Sequence, residues 1–96
     1  RSHSNRLGLA VSPLSTKQRE ATRVDANGVM VTRLLAGGPA AKAGVKSGDV
    51  ILMLNSATVE SPTQFNRLVE ELPAGKSVPL LIQREGGPLF VPLRVP

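Results

Sequence analysis

Between Gly37 and Asn55 the chain reads Gly-Gly-Pro-Ala-Ala-Lys-Ala-Gly-Val-Lys-Ser-Gly-Asp-Val-Ile-Leu-Met-Leu-Asn. The paired glycines interrupt the preceding element, and the proline suits the first position of a short helix, Ala40 to Ala43, that the next glycine ends. The Gly-Asp pair predicts a tight turn, and the apolar run Val50 to Leu54 predicts a strand buried on both faces. The segment therefore predicts a one-turn helix that docks on the sheet, followed by a core strand.

The residues before this segment predict two strands and a short helix. Apolar residues alternate from Leu7 to Val11, which predicts a half-buried strand that ends at Ser12-Pro13. A capping-box spacing predicts one or two exposed helical turns from Thr16 to Ala21. Turn residues at 25–28 then lead into a β-branched run, Val29 to Leu34, that predicts the second strand.

The residues after the segment predict a longer helix and a hairpin. The helix runs from Ser61 to Leu72, with an N-cap serine, a proline at its first position and an apolar stripe at i, i+3, i+4 and i+7. Ser77 to Arg84 and Leu89 to Val95 predict two strands joined as a hairpin around Glu85-Gly86-Gly87-Pro88, in which Gly86-Gly87 is one candidate for the two-residue loop. Each strand contains a proline, Pro79 or Pro92, which we expect at edge or outward-facing positions because proline has no N–H.

Composition predicts one small domain. The chain has 96 residues, 41% of them hydrophobic, with a mean hydropathy of zero and no cysteine, which is typical of a single globular core without disulfides. Its longest apolar run, Val50 to Leu54, is far shorter than the ~20 residues of a membrane-spanning helix. Residues 1–5 have no signal-peptide core and are interpreted as a disordered tail or tag remnant, with the domain at 6–96.

The sequence argues against an enzyme, a metal site and a cofactor. The single histidine, His3, lies in the tail, where nothing can hold it for catalysis. Glu70-Glu71 are adjacent on a helix, while Asp25, Asp49 and Glu85 are in separate turns, so all are interpreted as solvated charges and not as metal ligands. No phosphate-binding glycine motif occurs. We therefore predict no catalytic residue, no metal and no cofactor.

The net charge of +5 leaves electrostatic binding to nucleic acid or anionic lipid as one hypothesis. The basic residues are spread along the whole chain, however, and only Phe65 and Phe90 are aromatic, so bases would find no stacking platform. We expect no nucleic-acid partner and no membrane insertion.

One segment can carry a binding function. In Arg6-Leu7-Gly8-Leu9-Ala10-Val11 a glycine between apolar residues lets the backbone curl, so that successive N–H groups can hold a carboxylate while the following strand accepts an extended peptide. Arg6 could add electrostatic attraction. On spacing alone, Leu7-Gly8-Leu9 is more simply the start of an ordinary strand, because such triplets are common.

The two motifs together resemble a PDZ domain. Leu7-Gly8-Leu9 is similar to the apolar-Gly-apolar carboxylate loop of that family, and residues 39–52 are similar to its bacterial pattern of Pro-Ala, Ala-Gly and Gly-Asp-Val-Ile. The resemblance covers about Arg6 to Val95. It implies an α+β fold: a small, partly open β-barrel or sandwich of five to six strands capped by two helices, in the bacterial, circularly permuted strand order.

Within that family, residues 11–20 and 26–31 resemble the C-terminal PDZ domain of periplasmic Do-type HtrA serine endoproteases. The resemblance implies a non-catalytic module of a periplasmic protease that binds C-termini or extended apolar segments of unfolded envelope proteins and regulates proteolysis. Two departures are present. Asn55-Ser56 replaces the usual Asn-Gly, so we expect a different turn type there, and Pro79 lies in a strand that usually has no proline.

The resemblance also implies the binding residues. They comprise the loop and strand together with one side of the long helix: Arg6, Leu7, Gly8, Leu9, Ala10, Val11, Phe65, Leu68, Val69 and Leu72. Which helix residues face the groove and which face the core stays open. Aliphatic walls favour an apolar last ligand residue, with a Kd of about 10⁻⁶ to 10⁻⁴ M. The alternative is a structural domain that docks on other domains or subunits of its parent protease and binds no free peptide.

Overall fold

The computed structural model describes residues 7–17, 20, 28–84 and 87–95. They form an antiparallel sheet with two helices. Thr16, Lys17 and Glu20 are also helical and exposed, as predicted for the segment from Thr16 to Ala21. Outside the described residues lie the rest of that predicted helix, the predicted turn at 25–27, Arg6 and the tail at 1–5. The elements are β1 (Leu9–Pro13), β2 (Val29–Leu34), α1 (Pro39–Ala43), β3 (Val50–Leu54), β4 (Ala57–Thr58), α2 (Pro62–Glu70), β5 (Ser77–Arg84) and β6 (Gly87–Arg94).

The strands lie in the order β1-β2-β3-β5-β6, with β4 paired to β3 and every pairing antiparallel. The sheet does not close on itself, and β1 is at one edge. The predicted fold of five to six strands with two helices and an incomplete barrel is therefore confirmed. α1 packs against β6, and α2 contacts β1.

The core consists almost entirely of aliphatic side chains. Phe65 of α2 is fully buried at its centre, whereas Phe90 of β6 is 65% exposed. Ala40 is the residue of α1 that is fully buried, and Gly44 ends this helix with φ +102°. A short helix persists here because its small residues let the backbone approach the sheet closely. The helix docks on the sheet as predicted, with β6 as its neighbour.

Two expectations for the strands were wrong. The predicted half-buried strand is buried on both faces from Leu9 to Val11, because Ala10 on the second face is only 5% exposed. The β5–β6 register pairs Arg84 with Gly87, so Gly87 belongs to β6 and Gly86-Gly87 is not the loop. This register places Pro79 opposite Pro92.

The two prolines are tolerated because neither removes a bond between β5 and β6. Pro79 accepts a hydrogen bond on its carbonyl from Asn55 N at 2.9 Å, so its backbone faces β3. Pro92 is therefore opposite Pro79 in a non-hydrogen-bonded pair, and its nitrogen points away from β5. Both side chains are exposed, as expected for strand prolines.

The turn between β3 and β4 contradicts the expected change of type. Leu54 pairs with Ala57, and both loop residues have positive φ, +49° at Asn55 and +76° at Ser56. This pattern is that of the type I′ turn which Asn-Gly ordinarily forms. The surrounding ladder therefore holds Ser56 in a conformation that suits glycine better.

Replacing Ser56 with glycine should raise the free energy of unfolding by about 1 kcal/mol, because the left-handed region costs a residue with a Cβ roughly that amount. Asn55→Gly is the matched control. Asparagine already tolerates this region, so its replacement should gain less. Urea unfolding of both variants measures the difference, and an equal gain at the two positions would contradict the assignment of strain to Ser56.

A buried ion pair links the turn before β3 to the end of β5. Asp49, interpreted above as a solvated charge, is only 4% exposed, so that interpretation was wrong. Its carboxylate accepts hydrogen bonds from Arg84 Nε at 3.0 Å, from Arg84 Nη2 at 2.6 Å and from Lys46 N at 2.9 Å. Arg84 Nη2 also donates to the Gly44 carbonyl at 2.9 Å. One guanidinium thus joins the end of α1, the turn and β5.

Candidate functional site

β1 has a strand neighbour on one side only, and its backbone alternates between that neighbour and the open edge. Leu35 N donates to the Gly8 carbonyl at 2.8 Å, so Gly8 and Ala10 face β2 and Leu9 faces away. The β2 residue opposite Val11 is Val31, whose N–H and carbonyl bond Asp49 and Gly48 on the far side, each at 2.8 Å. The backbone groups of Leu9 and Val11 therefore point to the open edge.

The loop before β1 directs further N–H groups to the same side. The Leu7 carbonyl accepts a hydrogen bond from Ala40 N at 3.0 Å, at the start of α1. In a planar trans peptide, a carbonyl and the following N–H point in opposite directions. Bonding of the Leu7 and Gly8 carbonyls to the β2–α1 segment therefore turns the N–H groups of Gly8 and Leu9 outward. Successive outward amides of this kind form a nest for an anion.

Gly8 gives this loop its shape. Its φ is +76°, in the left-handed region. A Cβ at this position would lie 3.3 Å from Leu35 Cβ and 3.5 Å from Gly38 Cα. The loop therefore curls tightly against the β2–α1 segment, which a side chain at position 8 would disturb. Leu35 itself is 58% exposed beside this loop.

α2 supplies a wall beside β1, and the division of its apolar stripe is now clear. Phe65 and Val69 are fully buried and Leu72 is 8% exposed, so these side chains belong to the core. Leu68 packs on the same cluster but is only partly buried. Leu68 is thus the stripe residue with most surface facing outward.

The first turn of α2 is fixed by side-chain bonds. Ser61 Oγ accepts a hydrogen bond from Gln64 N at 3.1 Å, as predicted for the N-cap. Gln64 Nε2 donates to the Thr58 carbonyl at 2.9 Å, and Gln64 Oε1 accepts from Glu60 N. The sequence analysis missed Gln64, although its position three residues after the cap serine is a capping-box signal. These bonds hold the end of α2 nearest β4.

The structure brings the predicted site residues together, apart from Arg6, which lies outside the described residues. The loop and strand residues Leu7 to Val11 are all buried as whole residues, and three of them belong to the same core cluster as Phe65, Val69 and Leu72. The N–H groups of the loop and the unpaired edge of β1 are thus covered along with the side chains, and a partner must displace neighbouring groups to reach them.

Residues 7–17, 20, 28–84 and 87–95 contain no group of three His, Asp or Glu side chains placed to hold a metal ion. Within those ranges, too, every helix is too short or too polar to cross a membrane.

The sequence of this chain is similar to those of known proteins. Residues 30–84 match the family model of the PDZ domain. A probable periplasmic serine endoprotease, DegP-like, from Hahella chejuensis is 45% identical over 92 residues, which are 96% of this chain and 19% of that protein. The chain thus spans about a fifth of the length of the curated relatives it matches. The expected periplasmic location agrees with the names of these relatives.

Solved structures give the same fold. A variant of the HtrA-type protease AlgW, solved with a decapeptide, superimposes with a TM-score of 0.87 at 24% identity, over 99% of this chain and 28% of that one. The HtrA3 PDZ domain bound to a phage-derived ligand superimposes with a TM-score of 0.76 at 17% identity, over 98% of this chain and 88% of that one. The chain belongs to the PDZ domain family.

Proposed function

We propose that this domain binds the free carboxyl end of an extended peptide, which adds as a strand to the open edge of β1. The observation that carries the proposal is the orientation of the loop. The Leu7 and Gly8 carbonyls are bonded inward, at 3.0 Å and 2.8 Å, so the next N–H groups face outward beside the open edge. A carboxylate at the nest would place the last ligand residue beside Leu9, where its N–H can reach the Leu9 carbonyl.

The aliphatic neighbourhood favours an apolar last residue. Its side chain would displace Leu68 and contact the cluster that Leu7, Leu9 and Phe65 share. Support also comes from the solved relatives, whose PDZ-containing chains were crystallised with peptides.

Amidation of the ligand should weaken binding at least tenfold, because the amide loses the charge-assisted bonds that a carboxylate accepts from backbone N–H groups. We would titrate the ¹⁵N-labelled chain with a decapeptide library ending in apolar residues, each peptide paired with its C-terminally amidated copy. Shifts should cluster at Leu7 to Val11 and at Leu68. Equal affinity for both forms of every peptide would contradict capture of a free carboxylate.

We further propose that the parent protein is a periplasmic HtrA-type serine endoprotease and that the domain recognises C-termini or exposed apolar segments of unfolded envelope proteins. Support comes from the 45% identity to a protein of that name across nearly the whole domain. In this role, peptide binding at β1 would regulate proteolysis elsewhere in the parent. Proteolysis by the full-length parent, measured with and without the binding peptide and with its amidated copy, tests the regulation.

A second candidate is docking to other domains or subunits of the parent. One observation favours it: on the outward face of the β5–β6 hairpin, Phe90 is 65% exposed. A surface cavity of about 320 Å³ lies beside Phe90, lined also by Pro79 and Pro92. Binding of the chain to the parent lacking this domain, abolished by Phe90→Ser and without response to any peptide, would favour docking over peptide capture.

A further inference from the structure

The open edge of β1 has fewer donors than its length suggests. Backbone groups at positions 9, 11 and 13 point outward, because the opposing β2 residues Val31 and Val29 turn their own groups away from β1. The third of these positions is Pro13, which pairs with Val29 but has no N–H. The missing N–H therefore breaks no hydrogen bond between β1 and β2. It removes only a donor that would have pointed to the open edge.

The chain leaves the edge directly after Pro13. Leu14 is 8% exposed and packs with Val50, away from the cluster that contains Leu9 and Val11. Pro13 itself is exposed, so it is placed where a longer ligand would pass. An antiparallel ligand with its carboxylate at Gly8 would align its last residue with Leu9, its third-from-last residue with Val11 and its fifth-from-last residue with Pro13.

From this alignment we infer that Pro13 limits backbone recognition to the last three or four ligand residues and is a specificity-determining residue of the groove. The inference rests on the proposed function. The carbonyl of the fifth-from-last ligand residue finds no donor, so only one of the two bonds of a ladder pair can form there, from the ligand N–H to the Pro13 carbonyl, and lengthening a ligand beyond four residues adds little affinity. The domain thereby accepts many chain ends that differ upstream, since only their last residues are held.

The test uses the best-binding decapeptide from the library, trimmed from its N-terminus to seven, five, four and three residues. With the natural chain, affinity should level off at four residues. Pro13→Ala restores the N–H, and it should strengthen binding of the pentapeptide and longer peptides by about twofold to tenfold, the value of one net hydrogen bond. Binding of the tetrapeptide should not change. Pro92→Ala, which replaces another exposed strand proline on β6, controls for general effects and should change neither.

A direct readout accompanies the affinities. In Pro13→Ala the new amide at position 13 should shift downfield and become protected from hydrogen exchange with the pentapeptide, but not with the tetrapeptide. A continued rise in affinity beyond five residues in the natural chain would overturn the inference, and so would an unprotected amide in the variant. Either result leaves peptide capture intact if the tetrapeptide still binds. Failure of every peptide to shift β1 would instead reject the proposed function.

Discussion

Replacing Gly8 with alanine should weaken binding of a free-carboxylate peptide at least tenfold. Gly8 has φ +76°, which an alanine adopts only at a cost of about 1–2 kcal/mol. The loop can relieve this strain by rotating toward negative φ, and that rotation turns the Gly8 and Leu9 N–H groups away from each other. The added Cβ would also lie 3.3 Å from Leu35 Cβ, which favours the same movement.

Gly37 offers a matched control for this substitution. Its φ of +78° is nearly the same, and a Cβ there would meet no atom within 4 Å. Gly37→Ala should therefore lower the free energy of unfolding by a similar 1–2 kcal/mol while leaving peptide affinity within about twofold. Titration calorimetry and urea unfolding of both variants separate the two effects. If both variants bind the peptide equally well, the loop around Gly8 does not hold the carboxylate.

Replacing Arg84 with methionine should lower the free energy of unfolding by about 2–4 kcal/mol. The change leaves the Asp49 carboxylate, which is 4% exposed, without its charged partner. Of the hydrogen bonds described above, the one from Lys46 N remains. Losing the partner of a buried charge is among the costlier single changes, although the 34% exposure of the Arg84 side chain moderates it. Chemical denaturation measures the loss.

The partner substitution should be milder. Asp49→Asn keeps the shape and an acceptor for Lys46 N, and the freed guanidinium can reach water, so we expect a loss of about 1–2 kcal/mol. The double variant should then be more stable than Arg84→Met alone, because no buried carboxylate remains. A double variant that is less stable than Arg84→Met would contradict a desolvation origin for the loss.

The same pair sets the expected pH response. The hydrogen bond to Asp49 raises the pKa of Arg84 above its ordinary value. A raised folded-state pKa adds stability that is complete below the unfolded pKa and declines only as pH rises through the folded one. On the alkaline side, the contribution of the Arg84 guanidinium is therefore lost only in strongly basic solution.

Local patterns predicted most of the fold because each depends on residues close in sequence. β2 was predicted residue for residue from the run Val29 to Leu34, and α2 from its N-cap and apolar stripe. The candidate loop at Gly86-Gly87 was wrong, since both glycines suit a turn equally well and only the pairing across β5 and β6 decides between registers.

The remaining features depend on contacts between distant residues. Asp49 and Arg84 are 35 positions apart, so nothing near Asp49 in the sequence indicates that its charge is buried. The orientation of the Gly8 loop is likewise set by Leu35 and Ala40, whose amides bond its carbonyls. The division of the α2 stripe required knowledge of how the helix is rotated about its axis, since residues three and four apart share one side.

The edge position of β1 ties the stability of the binding strand to its ligand. β3 pairs with β2, β4 and β5 and opens only if all three ladders break, whereas β1 loses a single ladder and should be among the first segments to open. A bound peptide would place β1 in the interior of a seven-stranded sheet. At a ligand concentration one hundred times its Kd, this linkage is worth about 2.7 kcal/mol. In the cell, the lifetime of the domain would then increase and decrease with the concentration of free peptide C-termini.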